Sequence, residues 1–273
     1  HHLAHASSAY HLGGFEGKTA VMSVDGKGEY ATTFFGYAEG GRIHRIKEFY
    51  DPDSLSSVYG AITEYLGFEM LDGEYKVMGM APYGDPARVD LSRLIARRAK
   101  GFKVDTRYVN TVGLRRHKEA GVGYYFSDRL IDWLGPRRKE ESADEPYVHY
   151  AAAMQKLFED RCLELMDTYL ADVLRETGRL AFSGGGALNV KLNQRILERG
   201  DVRQLFVQPA AGDSGTALGA ATVVAAARGE RVAPLRHVYL GPDYSNDQCL
   251  AALSAHADSV AWETLDNVPA RAA

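Results

Sequence analysis

Cysteine is nearly absent from this sequence: Cys162 and Cys249 are the only two among its 273 residues. So few cysteines exclude a disulfide-stapled framework and a zinc site built from thiolates. They favour a reducing compartment, and we expect a cytoplasmic protein. Long apolar runs are also lacking, since no stretch approaches the roughly 20 residues that cross a membrane. We therefore expect no membrane association.

A basic surplus is missing as well. Lys and Arg number 32 against 36 Asp and Glu, and the formal net charge is −4. Nucleic-acid binding is therefore not expected, because such proteins carry a basic face. The hydrophobic content of 45% and the charged content of 25% are those of an ordinary globular protein. The composition leaves the oligomeric state open.

The pattern along the chain predicts a mixed α/β fold. A first helix covers residues 1–12, and a three-stranded meander follows it. Later segments read as buried strands that alternate with helices. The predicted strands are 19–24, 29–37, a third ending at Phe49, 179–183 and 205–208; the later predicted helices are SLSSVYGAITEYLGF, DLSRLIARRAK, 148–177 and 213–227.

The sequence begins with a histidine-rich stretch, HHLAHASSAY. A purification tag would account for His1 and His2, but not for His5, which helix-forming residues follow. On a helix, His1 and His5 share one face one turn apart, so both imidazoles can bind one metal ion. Such a site needs a third ligand. Asp213, which starts an Ala- and Gly-rich helix, is a candidate, with N-capping of that helix as the alternative role.

Two glycine-rich turns are candidates for binding phosphate. VDGKGE places Asp25, Gly26 and Gly28 between two strands, where backbone N–H groups can approach an anion; a plain hairpin turn is the alternative. SGGGALN follows a buried strand and opens a helix, a position that favours anions, with close packing as the alternative. The candidate contacts to a nucleotide phosphate or ribose in this second turn are Gly184, Gly185, Gly186 and Asn189.

A third segment, GEYKVMGMAPYG, sets Lys76 and Tyr83 among Gly, Met and Pro residues rather than on a polar helix face. One interpretation is a pocket wall in which either side chain contacts an anionic or polar ligand. The other is an ordinary loop with one solvated lysine.

Five motifs occur here in the order found in the nodulation-protein and antibiotic O-carbamoyltransferase family, which this sequence resembles over roughly residues 1–245: HHLAHA, VDGKGE, EYKVMGMAPYG, SGGGALN and QPAAGDSGTALGAA. The resemblance implies an RNase-H-like α/β domain with a mixed sheet, the second half of a duplicated actin/hexokinase-type ATPase fold. It divides the chain into a metal-ligand helix (1–14), this domain (15–236) and a linker (237–273). It also implies a preceding half-domain and a following YrdC-like domain outside these residues, so we expect a fragment that is incomplete for catalysis.

The resemblance also implies a chemistry. A carbamoyl group would pass from carbamoyl phosphate, by way of an ATP-derived carbamoyl-adenylate, to a hydroxyl of a small molecule, with AMP released. The metal ligands would be His1, His5 and Asp213, with iron favoured over zinc or magnesium. His2 lies beside these ligands and is a candidate general base, with support of the ligands or packing as the alternative.

Three other functions stay open at this point. A sugar or acetate kinase of the same fold superfamily would transfer phosphate, although such enzymes hold magnesium mainly through oxygen ligands. A tRNA-modifying subunit is disfavoured by the missing basic surplus. A non-catalytic nucleotide-binding or regulatory module is the third alternative.

Overall fold

The computed structural model describes residues 1–111, 115–116, 123–139 and 142–265. It comprises two compact units, His1–Leu235 and Arg236–Ala273. The second unit contains a helix that begins with a capping box, in which Ser245 and Gln248 satisfy each other's backbone N–H groups. Within the described ranges, no helix is both long enough and apolar enough to cross a membrane.

A five-stranded mixed sheet forms the centre of the first unit. Its strand order is β3-β2-β1-β8-β9. The pairs β1–β2 and β2–β3 are antiparallel, whereas β1–β8 and β8–β9 are parallel. The strands are β1 (Thr19–Gly28), β2 (Ala31–Glu39), β3 (Arg42–Tyr50), β4 (Ile95–Arg98), β5 (Gly101–Val104), β6 (Arg115–Arg116), β7 (Gly123–Tyr124), β8 (Arg179–Ser183) and β9 (Gln204–Val207).

Helices cover both faces of this sheet. Along β1, Ala20, Met22 and Val24 belong to the large core that also contains residues of the second and fifth helices, whereas Val21 packs with Ala6 of the first helix on the opposite face. The helices are α1 (His2–Leu12), α2 (Leu55–Tyr65), α3 (Glu74–Met80), α4 (Asp128–Leu134), α5 (Tyr147–Tyr169), α6 (Ala171–Thr177), α7 (Val190–Leu197), α8 (Thr216–Ala227) and α9 (Asn246–Ala255). A meander extended by two parallel strands, with helices on both faces, confirms the predicted α/β, RNase-H-like fold class.

Two segments differ from the predicted elements. DLSRLIARRAK, predicted as a helix, contains β4 and pairs with β5; burial of Leu94 and Ile95 in the main core outweighs local helix propensity. The long helix predicted over 148–177 is interrupted at the fully buried Leu170, which separates α5 from α6.

The Ala-rich helix α8 is largely exposed. It buries only Gly219 and Thr222, and its apolar residues Leu218 and Val224 are exposed by 41% and 52%. Its composition resembles that of a core helix, but burial depends on which elements pack against it, and here one narrow face contacts α1.

Candidate metal and nucleotide site

Helix α1 presents two histidines to the carboxyl end of β1. His1 is the N-cap residue and His5 lies one turn further along, fully within the helix. The ring of His1 rests directly on Gly28, where an added Cβ would lie 1.9 Å from the His1 Cδ2 atom. Gly28 therefore serves this close approach, a role that differs from the phosphate contact predicted for it.

The two imidazoles meet two carboxylates at this point. His1 Nε2 lies 3.0 Å from His5 Nε2 and 3.1 Å from Asp25 Oδ2. Asp213 Oδ1 lies 3.5 Å from His1 Nε2 and 3.6 Å from His5 Nε2. The candidate ligand atoms of these four residues all lie within 4.8 Å of one another.

This spacing fits a single metal ion. In a tetrahedral site with ligand bonds of 2.0–2.2 Å, neighbouring ligand atoms are about 3.4 Å apart, and most of the distances above fall near that value. Two neutral imidazoles whose Nε2 atoms lie 3.0 Å apart can form one N–H···N hydrogen bond. A cation between them would instead take a lone pair from each nitrogen. Burial lowers the pKa of the His5 imidazole, which favours the deprotonated form that binds metal.

Asp213 does not have the alternative capping role. The short 3-10 turn that it begins has Gly212 as its N-cap and shows no side-chain cap hydrogen bond. The carboxylate of Asp213 is 76% exposed and extends toward the histidine pair. Its position therefore places it among the candidate ligands.

Asp25 has a second connection that the sequence interpretation missed. While its Oδ2 faces His1, its Oδ1 accepts a hydrogen bond of 2.8 Å from the backbone N–H of Gly185. β1 and β8 are parallel neighbours whose pairing ends at Ser23 and Ser183, so the residues that follow these two positions meet at one edge of the sheet. Predicting this parallel pairing from the sequence would have placed the turns VDGKGE and SGGGALN next to each other.

A cavity of about 370 Å³ opens beside this cluster. One wall comes from β1 and the glycine loop, and the other from α2, α3 and the segment between them. It is lined by Asp25, Gly26, Ser56, Ser57, Tyr59, Met70, Leu71, Asp72, Glu74, Tyr75, Met78, Phe158, Gly185, Gly186, Leu188 and Asn189. These described lining residues include three carboxylates and no Lys, Arg or His, so a phosphate here requires a cation from elsewhere.

The glycine loop serves close packing as well as lining the cavity. Gly184 has φ +88, and an added Cβ would lie 2.4 Å from the carbonyl oxygen of Val24, so this residue packs against β1 rather than lining the cavity. Its N–H donates to the carbonyl of Ala211, and that of Gly185 is taken by Asp25. Two of the N–H groups predicted to face a phosphate are thus bonded within the protein.

The segment with Lys76 and Tyr83 contributes to the cavity through other residues. It forms helix α3, and Glu74, Tyr75 and Met78 line the cavity at helical spacing. The Lys76 ammonium instead lies over the Tyr75 ring at 5.7 Å, and Tyr83 is 82% exposed beyond the end of α3. Because the segment was interpreted as a loop, its helical periodicity was not used, and the residues that face the cavity were not identified.

His2 does not line the cavity. Its Nδ1 lies 3.1 Å from the Ser23 hydroxyl, its side chain is buried, and burial lowers its pKa. A general base must reach the proton that it removes, so the position of His2 suits support of its neighbours in α1 better than catalysis.

The comparisons with known proteins identify the family of this chain. The profile of the family described as "Carbamoyltransferase N-terminus" matches residues 1–222, and the chain belongs to that family. The nodulation protein NolNO of Sinorhizobium fredii is 34% identical over 100% of this chain and 38% of its own length. The nodulation protein NolO of Bradyrhizobium diazoefficiens is 34% identical over 94% of this chain and 45% of its own length.

Among solved structures, HypF of T. kodakarensis aligns with 84% of this chain and 36% of its own, at 17% identity and a TM-score of 0.37. That superposition is too loose for residue-level comparison. The chain spans roughly two-fifths of the length of the curated relatives named above.

Proposed function

We propose that this chain is the metal- and nucleotide-holding part of an O-carbamoyltransferase. One observation carries the proposal: the meeting of two imidazoles and two carboxylates beside a cavity that the glycine loop also lines. Membership of the carbamoyltransferase family supports the type of group transferred.

The proposed metal ligands are His1, His5, Asp25 and Asp213. A set of two imidazole nitrogens and two carboxylate oxygens, without thiolate, suits iron(II) and resembles the histidine–carboxylate sites of non-haem iron proteins. A bound divalent ion supplies Lewis acidity toward carbonyl or phosphoryl oxygen and lowers the pKa of a nearby hydroxyl. It also offsets the negative charge of Asp25 beside the glycine loop.

The proposed nucleotide is ATP or its carbamoyl-adenylate and AMP products. Its phosphate would lie beside Gly185 and Gly186, next to the metal cluster, and its nucleoside would extend toward α3. There the Glu74 carboxylate, which already accepts from the N–H of Leu71 at 2.9 Å, would accept hydrogen bonds from ribose hydroxyls, and the Tyr75 ring would offer a face for the base. The cavity has the size of ordinary cofactor sites, roughly 300–1000 Å³.

In the proposed reaction, a hydroxyl oxygen of the acceptor attacks the carbamoyl carbon of the adenylate. The new C–O bond forms, the bond from that carbon to the phosphate oxygen breaks, AMP leaves, and the hydroxyl proton passes to solvent. This chain's part is to hold the adenylate phosphate at the glycine loop and to orient it against the metal ligands. Carbamoyl phosphate and a small-molecule hydroxyl acceptor are the proposed substrates of the whole protein.

Metal content and group transfer test this proposal together. The purified protein, reconstituted with iron(II) without oxygen, is expected to hold one metal ion per chain, and Asp213→Asn to hold less than a tenth of that under the same conditions. With ATP and carbamoyl phosphate, the full-length protein is expected to release AMP in step with carbamoylated product.

Two results would contradict the proposal. Formation of a phosphorylated acceptor and ADP would favour the kinase alternative. A folded wild-type protein that binds neither iron(II) nor ATP would favour a non-catalytic module.

A further inference from the structure

A buried hydrogen-bond network lies behind the cavity and is centred on Gln155 of α5. Gln155 is 6% exposed and does not line the cavity, whereas two of its partners, Tyr59 and Asn189, do. These partners come from opposite walls: Tyr59 belongs to α2, and Asn189 follows the glycine loop. The network therefore connects the two walls through a residue that no ligand in the cavity reaches.

The Gln155 amide uses its full hydrogen-bonding capacity. Its Oε1 accepts from the Tyr59 hydroxyl at 2.8 Å and from Asn189 Nδ2 at 3.0 Å. Its Nε2 donates to Asn189 Oδ1 at 2.9 Å and to Glu159 Oε1 at 2.6 Å. Because a carboxylate only accepts, Glu159 fixes which end of the amide points toward it. A fully satisfied buried network of this kind specifies one arrangement.

The same network extends to the helix that follows the glycine loop. Asn189 Oδ1 caps α7 by accepting from the N–H of Leu192 at 3.0 Å. Near the other end of α7, Arg195 donates to Glu159 Oε2 at 3.0 Å. Two points on α7 are thus tied to α5 through residues that contact Gln155, and Gly185 and Gly186 lie just before the first of them.

We propose that Gln155 is a positioning residue that sets the distance between the α2 wall and the glycine loop, and so determines nucleotide affinity without touching the nucleotide. This inference rests on the proposed function, since it takes the cavity to hold ATP. It predicts that nucleotide affinity responds to the hydrogen-bonding pattern at position 155 even when the fold is retained.

Gln155→Glu is the informative variant because it changes donors while keeping shape. An ionised carboxylate at this position would face Glu159 Oε1 and Asn189 Oδ1 with no proton to donate. Protonation restores one donor, and the remaining oxygen still accepts. The charged or titratable groups facing the site are Tyr59 and Glu159, with Arg195 and Asp160 one contact further. Burial raises the pKa of Tyr59, which therefore stays neutral over the range tested.

The experiment titrates ATP into the full-length wild-type and Gln155→Glu proteins by calorimetry between pH 8 and pH 5.5, with thermal unfolding recorded at each pH. We expect the variant to bind ATP at least 10-fold more weakly than wild type at pH 8. At pH 5.5 the ATP affinities of the two proteins are expected to differ by no more than about 3-fold. Lys156→Gln is the matched control, since Lys156 is an exposed neighbour on α5 that pairs only with Asp160 among its described contacts; it is expected to bind as wild type does.

The outcomes distinguish a failure of the nucleotide assignment from a failure of the positioning role alone. If wild type itself binds no ATP, the nucleotide assignment fails and this inference fails with it. If wild type binds ATP and Gln155→Glu binds it equally at pH 8, the positioning role alone is overturned. The positioning role is also overturned if the ATP affinity of Gln155→Glu stays low at pH 5.5 and its loss follows a loss of thermal stability. A purely structural role predicts that result.

Discussion

At the scale of single residues, Asp25 connects the proposed metal to the glycine loop. One carboxylate oxygen faces His1, and the other accepts from Gly185. These two contacts need different properties of the side chain: the metal needs an anion, whereas the N–H of Gly185 needs only an acceptor. Two substitutions at one position therefore separate the two roles.

We predict that Asp25→Asn and Asp25→Ala both lower metal affinity by at least about 100-fold, because each removes an anionic ligand. Asp25→Asn keeps an acceptor for Gly185 and is expected to retain wild-type stability. Asp25→Ala leaves that N–H without its partner and is expected to lose about 1–3 kcal/mol of unfolding free energy. Metal analysis and urea unfolding provide the two readouts.

Asp172→Asn is the control for this pair, since Asp172 is 96% exposed and pairs only with Arg175 among its described contacts. It is expected to match wild type in both measurements. Full metal occupancy in Asp25→Asn would remove Asp25 from the ligand set.

At the scale of elements, the proposed metal site depends on how closely α8 approaches α1. A Cβ added at Gly219 would lie 1.8 Å from the carbonyl oxygen of Ala4, so only glycine allows this contact. The Ser7 and Thr222 hydroxyls form a buried hydrogen bond of 2.7 Å across the same interface. Because Asp213 precedes α8 while the histidines lie on α1, this packing fixes the ligands from both elements relative to each other.

Gly219→Ala is expected to weaken metal binding at least 10-fold although it touches no ligand, because the added methyl group forces α8 away from α1. Overpacking of this kind is also expected to cost about 1–3 kcal/mol of unfolding free energy. Gly200→Ala is the control, since nothing lies within 4 Å of its added Cβ. Metal titration of the folded variant checks the prediction; unchanged affinity would show that the helix contact does not position Asp213.

At the scale of the whole molecule, residues His1–Leu235 form a compact unit that contains the sheet, the cavity and all four candidate metal ligands. A compact unit with its own core is expected to fold independently. The last residue of this unit is itself tied to α1, since the N–H of Leu235 donates to the carbonyl of Leu12 at 2.9 Å.

A chain ending at Leu235 is therefore expected to bind metal with wild-type stoichiometry and to unfold within about 0.5 kcal/mol of the 273-residue chain. Circular dichroism during urea unfolding and metal analysis measure these properties. Aggregation of the shortened chain, or loss of its metal, would show that residues 236–273 contribute to the first unit.

Local patterns in the sequence were enough for the features that depend on near neighbours. The spacing of His1 and His5 places them on one helical face, and segments bounded by glycine-containing turns predict the strands of the meander. The order of strands and helices predicts the mixed α/β class, which the sheet topology confirms. These features depend on the residue repeat of a helix or a strand, and that repeat can be recognised from the spacing of residues in the sequence.

Only the tertiary structure decided which distant residues meet. Asp25, assigned from its glycine-rich turn to phosphate binding, joins the histidines because α1 packs against β1, and it joins Gly185 because β1 pairs in parallel with β8. Glu74 and Tyr75 face the cavity in place of Lys76 and Tyr83 because α3 is helical and packs by one side. Such choices depend on strand order and helix contacts between residues far apart in the chain, which no local period encodes.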